Sequence, residues 1–161
     1  MSRLDSFIRR MEAQRAALGW AAGEIAGHAG DVFEFGLGNG RTYDHLRAIL
    51  PGRAIYVFDR KITAHPGCIP APQFMLLGEF SDTLPRAAAL HAGRAALIHA
   101  DIGSGDKAAS LALAAWAAPF WASILAPGGL LLSDQPVSAP GLAPVGLPDA
   151  AARRYHVLRR T

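Results

Sequence analysis

Apolar positions recur at helical spacing from the start of the chain. Leu4, Phe7, Ile8 and Met11 share one face, with Arg3, Asp5, Arg9, Arg10 and Glu12 on the other, which predicts an amphipathic helix with its apolar stripe turned inward. A second short helix is expected over 20–25. The rhythm then changes to short apolar runs that read as strands: 31–35, "AIYVFD" at 54–59, "QFMLLG" at 73–78, "AALIHAD" at 95–101 and "GLLLSD" at 129–134. Between them, Tyr43, Leu46, Ile49 and Leu50 mark a helix face closed by Pro51-Gly52. A further helix is expected over 84–91 and a long Ala-rich one over 106–125, bent or split at Pro119. The stretch 61–72 reads as irregular and the proline-rich stretch 136–148 as loop, while "YHVLRR" at 155–160 predicts an edge strand.

Strands alternating with helices, and central strands apolar on both faces, argue a doubly wound, mostly parallel α/β sheet flanked by helices. A chain of 161 residues is the size of one domain. Residues 1–30 are expected to form a helical cap on the same domain whose α/β body spans 31–161. In such sheets ligands lie beyond the carboxyl ends of the strands. Those ends carry Glu34, Asp59, Glu79, Asp101 and Asp134 in turn. One such acid reads as a helix cap; five at equivalent tips indicate a shared binding edge.

The first tip leads into Glu34-Phe35-Gly36-Leu37-Gly38-Asn39-Gly40. Glycine lets the chain turn sharply from strand to helix and lets a ligand lie on bare backbone. The spacing is E-x-G-x-G-x-G, with Arg41 where a dinucleotide fold expects its third glycine. Asp59 follows Gly36 by 23 residues, at the next strand's end, where a carboxylate can accept two hydrogen bonds from a ribose diol.

These residues, with Gly78-Glu79-Phe80 and "LAPGGLLLSD", resemble the class I S-adenosylmethionine-dependent methyltransferases, and "GLGNGRTYDHL" with "YVFDR" is similar to a small group of compact bacterial members. The resemblance spans about residues 31–134 and implies a Rossmann-like fold and S-adenosyl-L-methionine as cofactor. It places Glu34 and the turn of Gly36, Gly38, Asn39, Gly40 and Thr42 at the methionine part, Asp59 on the ribose with Arg60 flanking the adenosine, and Gly78, Glu79 and Phe80 around the adenine. Asp101 and Asp134 stand as catalytic candidates should the acceptor need a base. His99, two residues before Asp101, reads first as a core histidine. Asp101 with Asp134-Gln135 also resembles the acidic set by which catechol-type O-methyltransferases hold a divalent cation; Gln135 stands where those have Asn, so no metal is expected.

Composition narrows the partners. The net charge is +3 and the basic residues are scattered, so neither a nucleic acid nor a membrane surface is expected. No Asn/Asp-Pro-Pro-Tyr/Phe sequence follows the fourth strand, unlike the amino-methylating DNA enzymes. The uncharged stretch between Lys107 and Asp134 is broken by Pro119 and Pro127 and reads as buried rather than bilayer-spanning. Cys68 stands alone, which fits a reducing, cytoplasmic setting. A small-molecule acceptor is expected, with Trp20 as a candidate pocket wall, and the last strand is a candidate edge for a homodimer. An NAD-type oxidoreductase and a non-catalytic cofactor-binding domain are the competing readings. Titration with NAD against S-adenosylmethionine separates the first, and binding without turnover marks the second.

Overall fold

The computed structural model describes residues 2–148 and 154–161. Helix α1 (Arg3–Glu24) opens the chain, held at its start by a capping box in which the Ser2 hydroxyl accepts the Asp5 N–H and Asp5 accepts the Ser2 N–H. There follow β1 (Asp31–Phe35), α2 (Arg41–Ile49), β2 (Ile55–Asp59), β3 (Met75–Leu77), α3 (Phe80–Leu90), β4 (Ala95–Ala100), α4 (Lys107–Ile124), β5 (Leu125–Ser133), β6 (Leu142–Pro144) and β7 (His156–Arg160). The strands form one sheet in the order β3-β2-β1-β4-β5-β7-β6. Strands β1 to β5 run parallel, and β7 is antiparallel to both β5 and β6. This is the doubly wound sheet expected, with the order reversing beside β1.

Alternation along the strands divides the core. Val32, Val57, Leu97, Leu130 and Leu132 face α1 and α2. Phe33, Phe35, Phe58, Ile98 and Leu131 face α3 and α4, where Phe35 and Phe58 stack with centroids 4.4 Å apart. Burial of such side chains at about 1.5–3 kcal/mol each is what carries the sheet.

Several expectations need correction. The N-terminal helix is continuous through Glu24 rather than two pieces, and its buried face is Ala13, Gln14, Ala17, Leu18 and Ala21. Leu4, Phe7 and Ile8 stay 66%, 40% and 45% exposed; the apolar stripe that looked like the core face is not the buried one, and small side chains make the close approach. Helix α4 is not split at Pro119, because Ala114, Ala117, Ala118 and Trp121 bury the flanking turns and offset the lost hydrogen bond. Residues 142–144, within the stretch expected as loop, pair as β6. The last strand is therefore interior, flanked by β5 and β6, and the dimer expected through it has no free edge there. Trp20 packs against the α1–α2 core cluster and lines neither of the two cavities described below.

Candidate functional site

A cleft of about 690 Å³ opens above the carboxyl ends of β1, β2 and β4. Its floor is the turn after β1. The turn needs glycine for different reasons at different positions. A Cβ on Gly36 would stand 2.5 Å from the Asp101 carbonyl oxygen, so that glycine lets the ends of β1 and β4 close on each other. A Cβ on Gly40 would stand 2.5 Å from Cys68 Cβ, so this glycine serves packing against the 61–72 segment. Gly38, at φ +52°, meets nothing within 4 Å; it is exposed and lines the cleft.

Asp59, at the tip of β2, holds that turn. Its Oδ2 accepts the N–H groups of Leu37 (2.9 Å) and Gly38 (3.1 Å). Its Oδ1 takes only a long bond from the Lys61 N–H (3.3 Å), which leaves a carboxylate oxygen oriented and available at the cleft wall. Arg60 follows on the same wall. Glu79 and Phe80 close the far end, Glu79 exposed at the N-cap of α3 with no side-chain capping bond and Phe80 half-buried with its ring edge against Phe35. Gly36, Gly38, Asn39, Thr42, Asp59, Arg60, Glu79, Phe80 and Asp101 thus come together around one cavity. Gly40 and Gly78 support the turn ends without lining it; the Gly78 N–H donates to the Asp59 carbonyl at 3.1 Å.

Glu34 lies elsewhere. It is fully buried, below the cleft rather than on its surface. Strand register explains where it goes: Glu34 sits beside His99 across the parallel β1–β4 pair, both on the α1–α2 face. His99 Nδ1 lies 2.7 Å from Glu34 Oε2, and the Thr42 hydroxyl donates to Oε1. His99 Nε2 lies 3.3 Å from the Tyr155 hydroxyl. A buried carboxylate at this depth requires a partner, and here it has two. Burial opposes a charged imidazole at His99, but the Glu34 carboxylate against Nδ1, with Asp101 and Asp134 farther off, holds its pKa above the usual histidine value. Burial, with the charge of Asp101, pushes the Tyr155 hydroxyl well above the usual tyrosine range. The sequence shows His99 and Glu34 as separate signals; only the register makes them a pair.

The two aspartates beyond β4 and β5 are set apart in role. Asp134 accepts the N–H groups of Ile102 (3.2 Å) and Gly103 (3.0 Å) and the Gln135 side-chain amide (3.0 Å). It clamps the turn after β4 and opens not onto the main cleft but onto an adjoining cavity of about 390 Å³. Burial, helped by the nearby Asp101 charge, raises its pKa against the pull of those donors. Asp101 lines both cavities. Its Oδ2 accepts from Gln14 Nε2 at 3.0 Å, and its Oδ1 has no hydrogen bond among the described residues. Among the described residues no three His, Cys, Asp or Glu side chains group around a metal position.

Several lining residues went unnoticed in the sequence. Helix α1 contributes Arg10, Met11 and Gln14; the turn after β4 and helix α4 contribute Gly103, Ser110 and Trp116. Gln14 carried a usable signal, a lone polar residue on the face shared by Ala13, Ala17, Leu18 and Ala21.

Residues 1–160 match a protein family described as S-adenosyl-L-methionine methyltransferase. The crystal structure of an S-adenosyl-L-methionine methyl transferase from Silicibacter pomeroyi DSS-3 is 41% identical and superposes with a TM-score of 0.93, covering 100% of this chain and 99% of that one. At fold level, TrmN from Thermus thermophilus is similar over 91% of this chain and 49% of its own, with 17% identity and a TM-score of 0.63. The 1,6-didemethyltoxoflavin-N1-methyltransferase of Burkholderia thailandensis, solved with bound 1,6-didemethyltoxoflavin and S-adenosylhomocysteine, is 14% identical with a TM-score of 0.55, covering 93% of this chain and 79% of that one. No curated protein matches by sequence.

Proposed function

The chain belongs to the S-adenosyl-L-methionine methyltransferase family, and from that premise we propose that the cleft above β1, β2 and β4 holds the cofactor and that methyl transfer to a small molecule takes place beside Asp101. The observation that carries this reading is the coincidence of the bare Gly38 backbone and the oriented Asp59 carboxylate within a cavity whose size suits one drug-sized ligand. The residues fit the group: an open backbone floor for the amino-acid chain, a carboxylate oxygen for the ribose diol, and Glu79 with Phe80 for a polar-edged aromatic base.

S-adenosylmethionine supplies a methyl group already activated on a sulfonium, so the protein's part is alignment and exclusion of water. Asp59 fixes the sugar and the turn together through its two oxygens. The turn itself is tied from below by Thr42, whose hydroxyl donates to buried Glu34; Glu34 is a positioning residue in this reading. Gln14 orients Asp101, leaving Oδ1 as the base for an acceptor that carries a proton. Asp134 holds the 102–103 turn against that site and acts through it. Residues 1–30 serve as the cap, since Arg10, Met11 and Gln14 line the cleft together with the glycine turn.

No helix among the described residues is long and apolar enough to cross a membrane. Scattered basic residues and two adjoining cavities of small-molecule size favour a small acceptor over a nucleic acid, and the single Cys68 fits a cytoplasmic setting. Calorimetry with S-adenosylhomocysteine and with NAD tests the site: saturable binding of the first and none of the second is expected. Binding of NAD alone, or of neither, refutes it.

A further inference from the structure

The 390 Å³ cavity adjoining the cofactor cleft has a composition of its own. Asp101 and Asp134 stand at its base, at the tips of adjacent parallel strands, with the buried Tyr155 beside them. Arg10 enters from α1 and Arg154 from the segment leading into β7. The main cleft and this cavity share Arg10, Gln14, Asp101 and Gly103, so they are two chambers meeting at one carboxylate.

The charges are not balanced by one another. Both Asp134 oxygens are occupied by the Ile102 and Gly103 amides and by Gln135, and Asp101 Oδ2 is occupied by Gln14. Among the described residues neither Arg10 nor Arg154 forms an ion pair. The cavity therefore offers two guanidinium groups seeking an oxyanion and one carboxylate oxygen, Asp101 Oδ1, seeking a proton donor. Tyr155, kept neutral by burial, adds no charge.

We infer that this second chamber is the acceptor subsite and that it selects a small oxyanion, a carboxylate or phosphate, bearing a hydroxyl or amino group at its other end. Arg10 and Arg154 hold the anionic group, since guanidinium matches either in a fork of two hydrogen bonds. The opposite end then meets Asp101, where the two chambers join. As the acceptor's lone pair forms the new bond to the methyl carbon, the carbon–sulfur bond breaks with its electrons left on sulfur, and the acceptor's proton passes to Asp101 Oδ1. Arg154 touches only this chamber and is the specificity-determining residue that no cofactor contact requires.

This inference rests on the cofactor assignment above, and the test separates the two. Full-length protein saturated with S-adenosylhomocysteine is titrated, by ligand-observed NMR, with 4-hydroxybenzoate, 4-hydroxyphenyl phosphate, 4-hydroxybenzamide and tyramine, which share a phenol and differ in the charge of the tail. At least one anion is expected to bind about tenfold more tightly than the amide, the difference between a charged and a neutral hydrogen-bonded contact, and tyramine no more tightly than the amide. The better of the two anions identifies the oxyanion. Arg154→Met, which leaves Arg10 in place, is expected to weaken the preference and leave S-adenosylhomocysteine affinity unchanged. Equal binding of all four, binding of none, preference for tyramine, or a preference undiminished by Arg154→Met overturns the inference. Failure of S-adenosylhomocysteine to bind the wild type overturns the cofactor assignment instead.

Discussion

Replacing Asp59 tests the cofactor site most directly, because that carboxylate is asked to do two things at once. Its Oδ2 receives two backbone N–H groups of the glycine turn, at 2.9 and 3.1 Å, and its Oδ1 is the oxygen left for a sugar hydroxyl. Asp59→Ala removes both. Hydrogen bonds to a charged group contribute about 1.5–3 kcal/mol each, and the half-exposed position argues for the lower end. Losing the ribose contact and the preorganisation of the turn should then cost about 2–3 kcal/mol of binding, a weakening of about 30- to 150-fold. Asp59→Asn separates the two duties: its single oxygen can still accept from the turn while the amide donates to a hydroxyl, so about a tenfold loss is expected. Calorimetric titration of S-adenosylhomocysteine into wild type and both variants measures this, with circular dichroism confirming that each is folded. A folded Asp59→Ala variant within about threefold of wild-type affinity would refute the reasoning.

Other outcomes follow from the buried network and the clamps. Glu34→Gln leaves His99 without its anion in a fully buried site, and denaturant titration should show a loss of about 3–5 kcal/mol. The folded pKa of His99 lies above its unfolded value of 6.5, so the pair's contribution is complete below that pH and fades as pH rises through the folded pKa. Stability should therefore decline on the alkaline side of 6.5 in wild type, and that part of the decline should vanish in His99→Gln; an unchanged pH profile would count against the pair. Gly36→Ala pushes a methyl to 2.5 Å from the Asp101 carbonyl and should cost about 1–3 kcal/mol in thermal or chemical unfolding. A chelator added to active enzyme should leave the methyl-transfer rate as it was, since the Asp134 oxygens already face backbone donors; loss of activity that magnesium restores would overturn this.

Much of the architecture could be read along the chain. Each of the first five strands is a short apolar run, a signal that needs no distant partner, and alternation alone set the two faces of β1 and β4 apart. The acids at the strand tips and the glycine turn after the first were visible for the same reason: they lie within a few residues of the element that positions them. Tertiary structure decided the rest. The amphipathic stripe of Leu4, Phe7 and Ile8 marked a helix but not its buried side, because burial depends on which side of the helix the rest of the core packs against. Pairing of Glu34 with His99, 65 residues apart, follows from β1 lying beside β4, which neighbouring residues cannot specify. The same holds for the second chamber: Arg10 and Arg154 come from opposite ends of the chain. Local pattern determines which segments become strands and helices because side-chain periodicity is a property of consecutive residues, whereas side chains on separate segments meet only once strand order and register have been settled by packing the whole core.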